Sequence, residues 1–200
     1  MGVTVVKKVG ELSKRLQNGS LEPTMRRLSK YLVSSAERKI NSDIPPENAP
    51  LTQAVKQGNR TLRDNGTLLS SIAPQNGSNW ASANTNLVYA RIMQYGGTIN
   101  GKSKGLWLPA SEKTRALYRR YNAQKPSELV SAMKGDGYSF ARIKNAFFAR
   151  RGKEGPFVLF VIKRSVTIPA RPFLYIDERD RQYIDREITK ALKKVLGEMK

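Results

Sequence analysis

The heptapeptide Ile168-Pro169-Ala170-Arg171-Pro172-Phe173-Leu174 limits the folds open to this 200-residue chain more than any other stretch. Each proline fixes its own φ, lacks an N–H and pushes the residue before it toward extended backbone, so neither a helix nor a central strand can run through. A cation held between two prolines stands on a rigid platform, and Phe173-Leu174 offers an apolar anchor just beyond it. The segment therefore reads as a built junction. Arg171 has two readings here, a cap on nearby carbonyls or a contact with a partner.

What flanks the junction fixes its role. Phe157-Val158-Leu159-Phe160-Val161-Ile162 is the one continuous apolar run, short and β-rich, and predicts a buried central strand. Beyond the prolines, Asp177 can cap a final helix with Ile184, Ile188, Leu192, Val195 and Met199 as its apolar stripe. At the other end, Val5, Val9, Leu12 and Leu16 recur at helical spacing and Asn18-Gly19 stops that helix. Ser20 can cap a second helix, with Pro23 tolerated in its first turn. Its stripe is Met25, Leu28, Leu32, Ala36 and Ile40, with Arg26, Arg27, Lys30, Arg38 and Lys39 as a basic outer face, and Pro45-Pro46 ends it. Residues 43–58 read as a connector.

The middle of the chain changes character. A turn precedes a short element in Thr61–Ile72, and residues 78–88 alternate as a hairpin or two short strands with Trp80, Ala83 and Leu87-Val88 facing inward. Tyr89–Tyr95 fits two helical turns stopped by Gly96-Gly97, where a left-handed φ is commonly needed. Leu106–Pro109 reads as a short strand and Gly101–Gly105 as a flexible hairpin tip. The rest of 101–155 is basic and irregular, with little core of its own, and predicts a projecting or mobile insertion. We expect one domain over residues 1–200, with N-terminal helices in 1–42, a core from 60–100 and 156–198, and the insertion between them.

Charge narrows the function. Lys and Arg number 36 against 16 Asp and Glu, a net +20, far above the roughly 2 to 8 of a small soluble domain. Such a surface needs an acidic partner. The excess is spread over folded elements as one broad basic surface, with Arg26, Arg27, Lys102, Lys104, Arg119, Arg120, Arg150, Arg151 and Lys153 as candidate partner-facing cations. Cysteine and histidine are both absent, which removes Ser-His-Asp and Cys-His catalysis, thiol chemistry and the usual zinc sites. No catalytic, cofactor or metal residues are assigned. The acidic group Asp177, Glu178, Asp180, Asp185 and Glu187 invites a two-metal nuclease reading, but the first three fall in a first helical turn, where negative charge complements the macrodipole. No glycine loop has phosphate-cradling spacing before a helix. Tyr118, Tyr121, Phe140 and Phe147-Phe148 interleave with Arg and Lys, a pattern that suits stacking on single-stranded bases and equally suits basic elements burying their aromatics. No apolar run is long enough for a membrane span, and the expectation is a soluble protein with no membrane partner.

Three segments in order resemble the phage virion morphogenesis family, the Mu-like tail-completion and head–tail joining proteins. They are Thr61-Leu62-Arg63-Asp64-Asn65-Gly66-Thr67-Leu68-Leu69-Ser70-Ser71-Ile72, then Val88-Tyr89-Ala90-Arg91-Ile92-Met93-Gln94-Tyr95-Gly96-Gly97-Thr98-Ile99, then Ile168 to Leu174. Asn65 stands where Thr is usual before the Gly, and Met93-Gln94-Tyr95 where His-Gln-Phe is common. The resemblance implies an α+β fold with N- and C-terminal amphipathic helices packed on a small, mostly antiparallel sheet. It makes Asp64, Gly66, Leu68, Tyr89, Ala90, Gly96, Gly97, Pro169, Arg171, Pro172, Phe173 and Leu174 the family-motif residues. It further implies a structural virion component of a tailed phage or prophage, a tail-completion or neck protein acting as a ring with six-fold symmetry expected from tail architecture. Its partners would be itself, other tail or neck proteins, and packaged DNA or acidic virion proteins on the basic face. It would assemble in the host cytoplasm. The alternative function is non-specific nucleic-acid binding.

Overall fold

The structure is a computed structural model that describes residue 14 and residues 21–56 and 58–197. Val5, Val9, Leu12, Leu16, Asn18-Gly19, Ser20 and Met199 of the predicted helices lie outside the described residues. In chain order the elements are α1 (Glu22–Asn41), α2 (Pro50–Val55), α3 (Thr67–Ser70), β1 (Ala73–Asn76), β2 (Ala81–Asn84), α4 (Ala90–Tyr95), β3 (Gly97–Asn100), β4 (Leu106–Pro109), α5 (Glu112–Arg120), α6 (Pro126–Gly135), β5 (Tyr138–Ile143), β6 (Ala146–Arg151), β7 (Phe157–Lys163), β8 (Ser165–Ile168) and α7 (Glu178–Gly197). The fold is α+β, and every strand pairing is antiparallel. The chain gathers into two compact units. Among the described residues, one is built from 21–44, Gly66–Gln94 and 172–197; the other from Pro45–Asn65 and Tyr95–Arg171.

In the first unit α1 carries the predicted stripe, with Met25, Leu28, Ala36 and Ile40 buried and Leu32 half-buried. Pro23 sits in the first turn, where its missing N–H has no helical acceptor to lose. The helix packs on the β1–β2 hairpin and on α7. Tyr31 of α1 and Tyr183 of α7 stack with ring centroids 3.7 Å apart. The hairpin strands are Ala-Pro-Gln-Asn and Ala-Ser-Ala-Asn, so small side chains receive the helix and no large residue is needed on their inner face. Trp80 and Val88 are therefore not inward as expected. Trp80 is half exposed at the hairpin turn, its ring lying over Gly77, and Val88 is 97% exposed.

In the second unit β4, β7, β6 and β5 lie in that order as one sheet, so β7 is interior, as its apolar run predicts. The irregular insertion with little core is corrected. Residues 101–155 contain β4, α5, α6, β5 and β6, and Leu117, Leu129, Met133 and Ala149 from them pack with Leu159 and Phe160 as a buried cluster. Aromatics close it: Trp107 meets Phe147 at 4.8 Å and Phe160 at 5.5 Å between centroids, and Phe140 stacks on Phe147 at 5.6 Å. Burial pushes the half-buried Tyr118 hydroxyl up to about 12, with Glu128 adding to the effect. Of the interleaved aromatics, Tyr118, Tyr121, Phe140 and Phe147 are thus spent on packing. Gly101–Gly105 is also not a hairpin tip. β3 pairs with β8 and β4 with β7, so the loop is an excursion within one long antiparallel pairing, opposite Arg164, whose carbonyl accepts from Gly101 N at 2.7 Å. The connector at 43–58 contains one more helix than predicted, the short α2.

Candidate functional site

The chain order of α4, two glycines and β3 places the second motif beside the third. In the first unit, Gln94 in the last turn of α4 is nearly buried, and its side-chain oxygen accepts from Phe173 N at 2.9 Å and Leu174 N at 3.0 Å. Its Nε2 donates to Leu174 O at 3.0 Å. One amide thus satisfies three backbone groups that Pro172 leaves without strand partners. Phe173 is fully buried, the anchor that the sequence predicts. Gln94 was not among the predicted site residues; its signal is a polar side chain four residues after Ala90 on the helix's buried side.

In the second unit, Gly96 has φ 69° and Gly97 φ 153°, both in the region that favours glycine. A Cβ on Gly96 would stand 2.7 Å from Ala170 N and 3.0 Å from Ile168 O, so the close approach and the φ both demand glycine. β3 then pairs with β8 through Gly97↔Ile168 and Thr98↔Thr167.

Arg171 is buried at 6% exposure. Its Nε and Nη2 donate to Pro46 O at 2.8 and 2.6 Å, and Nη2 also donates to Glu47 O at 2.9 Å. Burial lowers its pKa from the usual arginine value. Of the two sequence readings, this geometry is the carbonyl cap: the guanidinium closes the Pro45–Glu47 turn from inside. Asn48 braces the same loop, donating to Asn59 O at 3.0 Å and Arg60 O at 3.3 Å. Pro169 and Pro172 are exposed.

The first motif is fixed in parts. Asp64 receives a two-pronged grip from Arg115, Nη1 at 3.0 Å and Nη2 at 2.7 Å, and this hydrogen bonding raises the Arg115 pKa against the effect of burial. Gly66 has φ 83° and opens α3, and Leu68 is buried. Ala90 is buried, whereas Tyr89 is 41% exposed.

The acidic cluster and the basic face meet where the sequence did not place them. Lys39, expected on the outer face of α1, is buried at 7% exposure and donates to Asp180 Oδ2 at 2.6 Å, Tyr175 O at 2.6 Å and Ser35 Oγ at 3.0 Å. Asp180, fully buried, also accepts from Ser35 Oγ at 2.7 Å and Asp177 N at 3.2 Å. Burial alone would raise its pKa, but these donors bring it down to about 2. Asp177 caps α7 as predicted, its Oδ1 accepting from Asp180 N at 2.8 Å. Glu187 pairs with Lys190 at 3.1 Å and Arg27 at 3.7 Å. Asp177, Asp180 and Glu187 are thereby engaged by cations and backbone.

The nine candidate partner-facing cations are all exposed. Arg26 pairs with Glu22 at 3.3 Å and Arg119 with Glu112 at 2.7 Å. The β5–β6 hairpin and its end, residues 138–153, carry Arg142, Lys144, Arg150, Arg151 and Lys153 with no acidic residue. Among the described residues no helix is long and apolar enough to cross a membrane.

Comparison with known proteins adds one match. The family model for phage virion morphogenesis matches residues 4–125, which takes in the first two motifs, reaches into the 101–155 segment and stops before Ile168. No curated protein and no solved structure matches the chain.

Proposed function

From this chain's membership of the phage virion morphogenesis family, we infer that it is a structural part of a tailed-phage virion, acting at the completed end of the tail or at the head–tail junction, as a ring. The match over 4–125 carries the reading, because it contains the motif residues whose backbone geometry is most constrained. The Gln94 clamp and the Arg171 cap support a structural role: both spend their polar groups on internal backbone, which fixes the shape of a corner and offers nothing to a substrate. Subunits of a ring meet heterologously, each presenting two different surfaces. The exposed cations would meet packaged DNA or acidic surfaces of neighbouring virion proteins. Particles made without this gene test the reading: tails that fail to join heads or to mature are expected, and normal numbers of infectious virions would refute it.

The acid-free cationic hairpin at 138–153 favours a second reading, non-specific binding of nucleic acid. Salt titration separates the two, since each phosphate contact adds close to one unit of log–log slope. Tight duplex binding by the isolated protein at physiological salt would favour it.

A further inference from the structure

The β3–β8 ribbon carries no charge, a property it shares with the β1–β2 hairpin, whose strands are already packed against α1. About a quarter of the chain is charged, so eight residues would ordinarily hold about two charges, yet Gly97-Thr98-Ile99-Asn100 and Ser165-Val166-Thr167-Ile168 hold none. The ribbon continues the β4–β7 pairing beyond the Gly101–Gly105 excursion, where β6 no longer covers it: β6 reaches only from Ala146↔Val161 to Ala149↔Phe157. All four β3 residues are exposed. Thr98 and Thr167 meet through their hydroxyls at 3.1 Å on one face, while Ile99, 42% exposed, opposes Val166 on the other. Among the described residues no strand pairs with the outer edge of β3 or of β8.

Open edges of this kind invite another strand, and folded proteins usually block them with Lys, Pro or a bulge. None of these interrupts either strand. The occupant follows from charge. Two copies of a +20 chain repel over most of their surface, whereas the ribbon strands themselves carry no charge. Like charges in a contact made there are confined to the flanking Lys102, Lys104, Lys163 and Arg164.

We propose that the β3–β8 ribbon is the subunit contact, the free edge of β8 in one copy adding to the free edge of β3 in the next by main-chain hydrogen bonds. The addition is head to tail, so it can propagate around a closed axis. This rests on the ring reading above and names the surface that makes the ring.

The test uses the full-length protein. Light scattering should show concentration-dependent association of the wild type. Ile99→Lys, which places in every contact a charge that the uncharged β8 strand cannot pair, should weaken it by about a hundredfold, since drawing an unpaired charge out of water is costly. Ile143→Lys, on the exposed end of β5, should leave association unchanged. Because the chain has no cysteine, introduced thiols are unique. Thr98→Cys and Thr167→Cys chains, mixed with a short bismaleimide, should cross-link to each other in preference to themselves. Association unaffected by Ile99→Lys, a wild type that stays monomeric, or cross-linking of Thr98→Cys chains mainly to themselves would each overturn the proposal. None of those results touches the virion reading, which falls only if particles lacking the gene are normal.

Discussion

The Lys39–Asp180 pair is the sharpest place to test how this fold is held. Asp180 is fully buried with three donors, and Lys39 spends its ammonium on two oxygens and the Asp180 carboxylate. Removing one partner of a buried pair strands the other, which costs about 3 to 5 kcal/mol. For Asp180→Asn we expect about 3 kcal/mol, the low end, because the Asp177 carboxylate remains 3.3 Å from Lys39. Lys39→Met should cost somewhat less, since Asp180 keeps Ser35 and the Asp177 N–H. The double variant should lose at least 1 kcal/mol less than the sum, because neither buried charge is then left alone. Urea unfolding followed by circular dichroism measures all three. There is also a pH signature. The carboxyl falls from 3.8 when unfolded to about 2 when folded, so it contributes about 2 kcal/mol above pH 4 to 5. That contribution is lost as pH falls through about 2, and Asp180→Asn should remove this part of the acid sensitivity. Additive single-variant losses, or an acid profile unchanged in Asp180→Asn, would refute the reasoning.

Arg171→Lys should destabilise by about 1 to 3 kcal/mol despite keeping the charge, because an ammonium cannot span Pro46 O and Glu47 O as the planar fork does; equal melting would show that only the charge matters. Gln94→Ala leaves two backbone N–H groups without their acceptor, and a loss of about 2 kcal/mol is expected, with faster amide exchange at Phe173 and Leu174. Gly96→Ala should cost more than Gly66→Ala. Both require a left-handed φ, at about 1 to 2 kcal/mol, but only Gly96 also faces backbone at 2.7 Å. Neutralising Arg150 and Arg151 should lower the salt slope of duplex DNA binding by about two, and an unchanged slope removes the hairpin from the contact.

The elements legible in the sequence were those whose signal is local. The α1 stripe, the β7 run, β4, and the α4 stop at Gly96-Gly97 all rest on spacing or on a backbone requirement within a few residues. The 101–155 segment was misread because its elements are short and cationic; α5 reads Glu-Lys-Thr-Arg-Ala-Leu-Tyr-Arg-Arg and buries only Thr114 and Leu117. Its core exists only once Leu117 meets Leu129, Met133 and Phe160 in space. Lys39 looked like one more cation on a basic face, and nothing near it in sequence announces Asp180, 141 residues away. The role of Arg171 was equally hidden, since its acceptors are 124 and 125 residues earlier. Pairings that distant leave no periodicity to read.

That same distance has a consequence for synthesis. Lys39 leaves the ribosome long before Asp180, and at about 5 to 20 residues per second the gap is about 7 to 28 s. During that time the buried face of α1 has no α7 to close on, while Tyr95–Arg171 emerges as one uninterrupted stretch and can fold around its own sheet. The helix that completes the buried face of α1 is thus made long after α1 itself. A nascent chain with its apolar stripe open for so long is exposed to aggregation, and its large positive charge keeps unfinished copies apart.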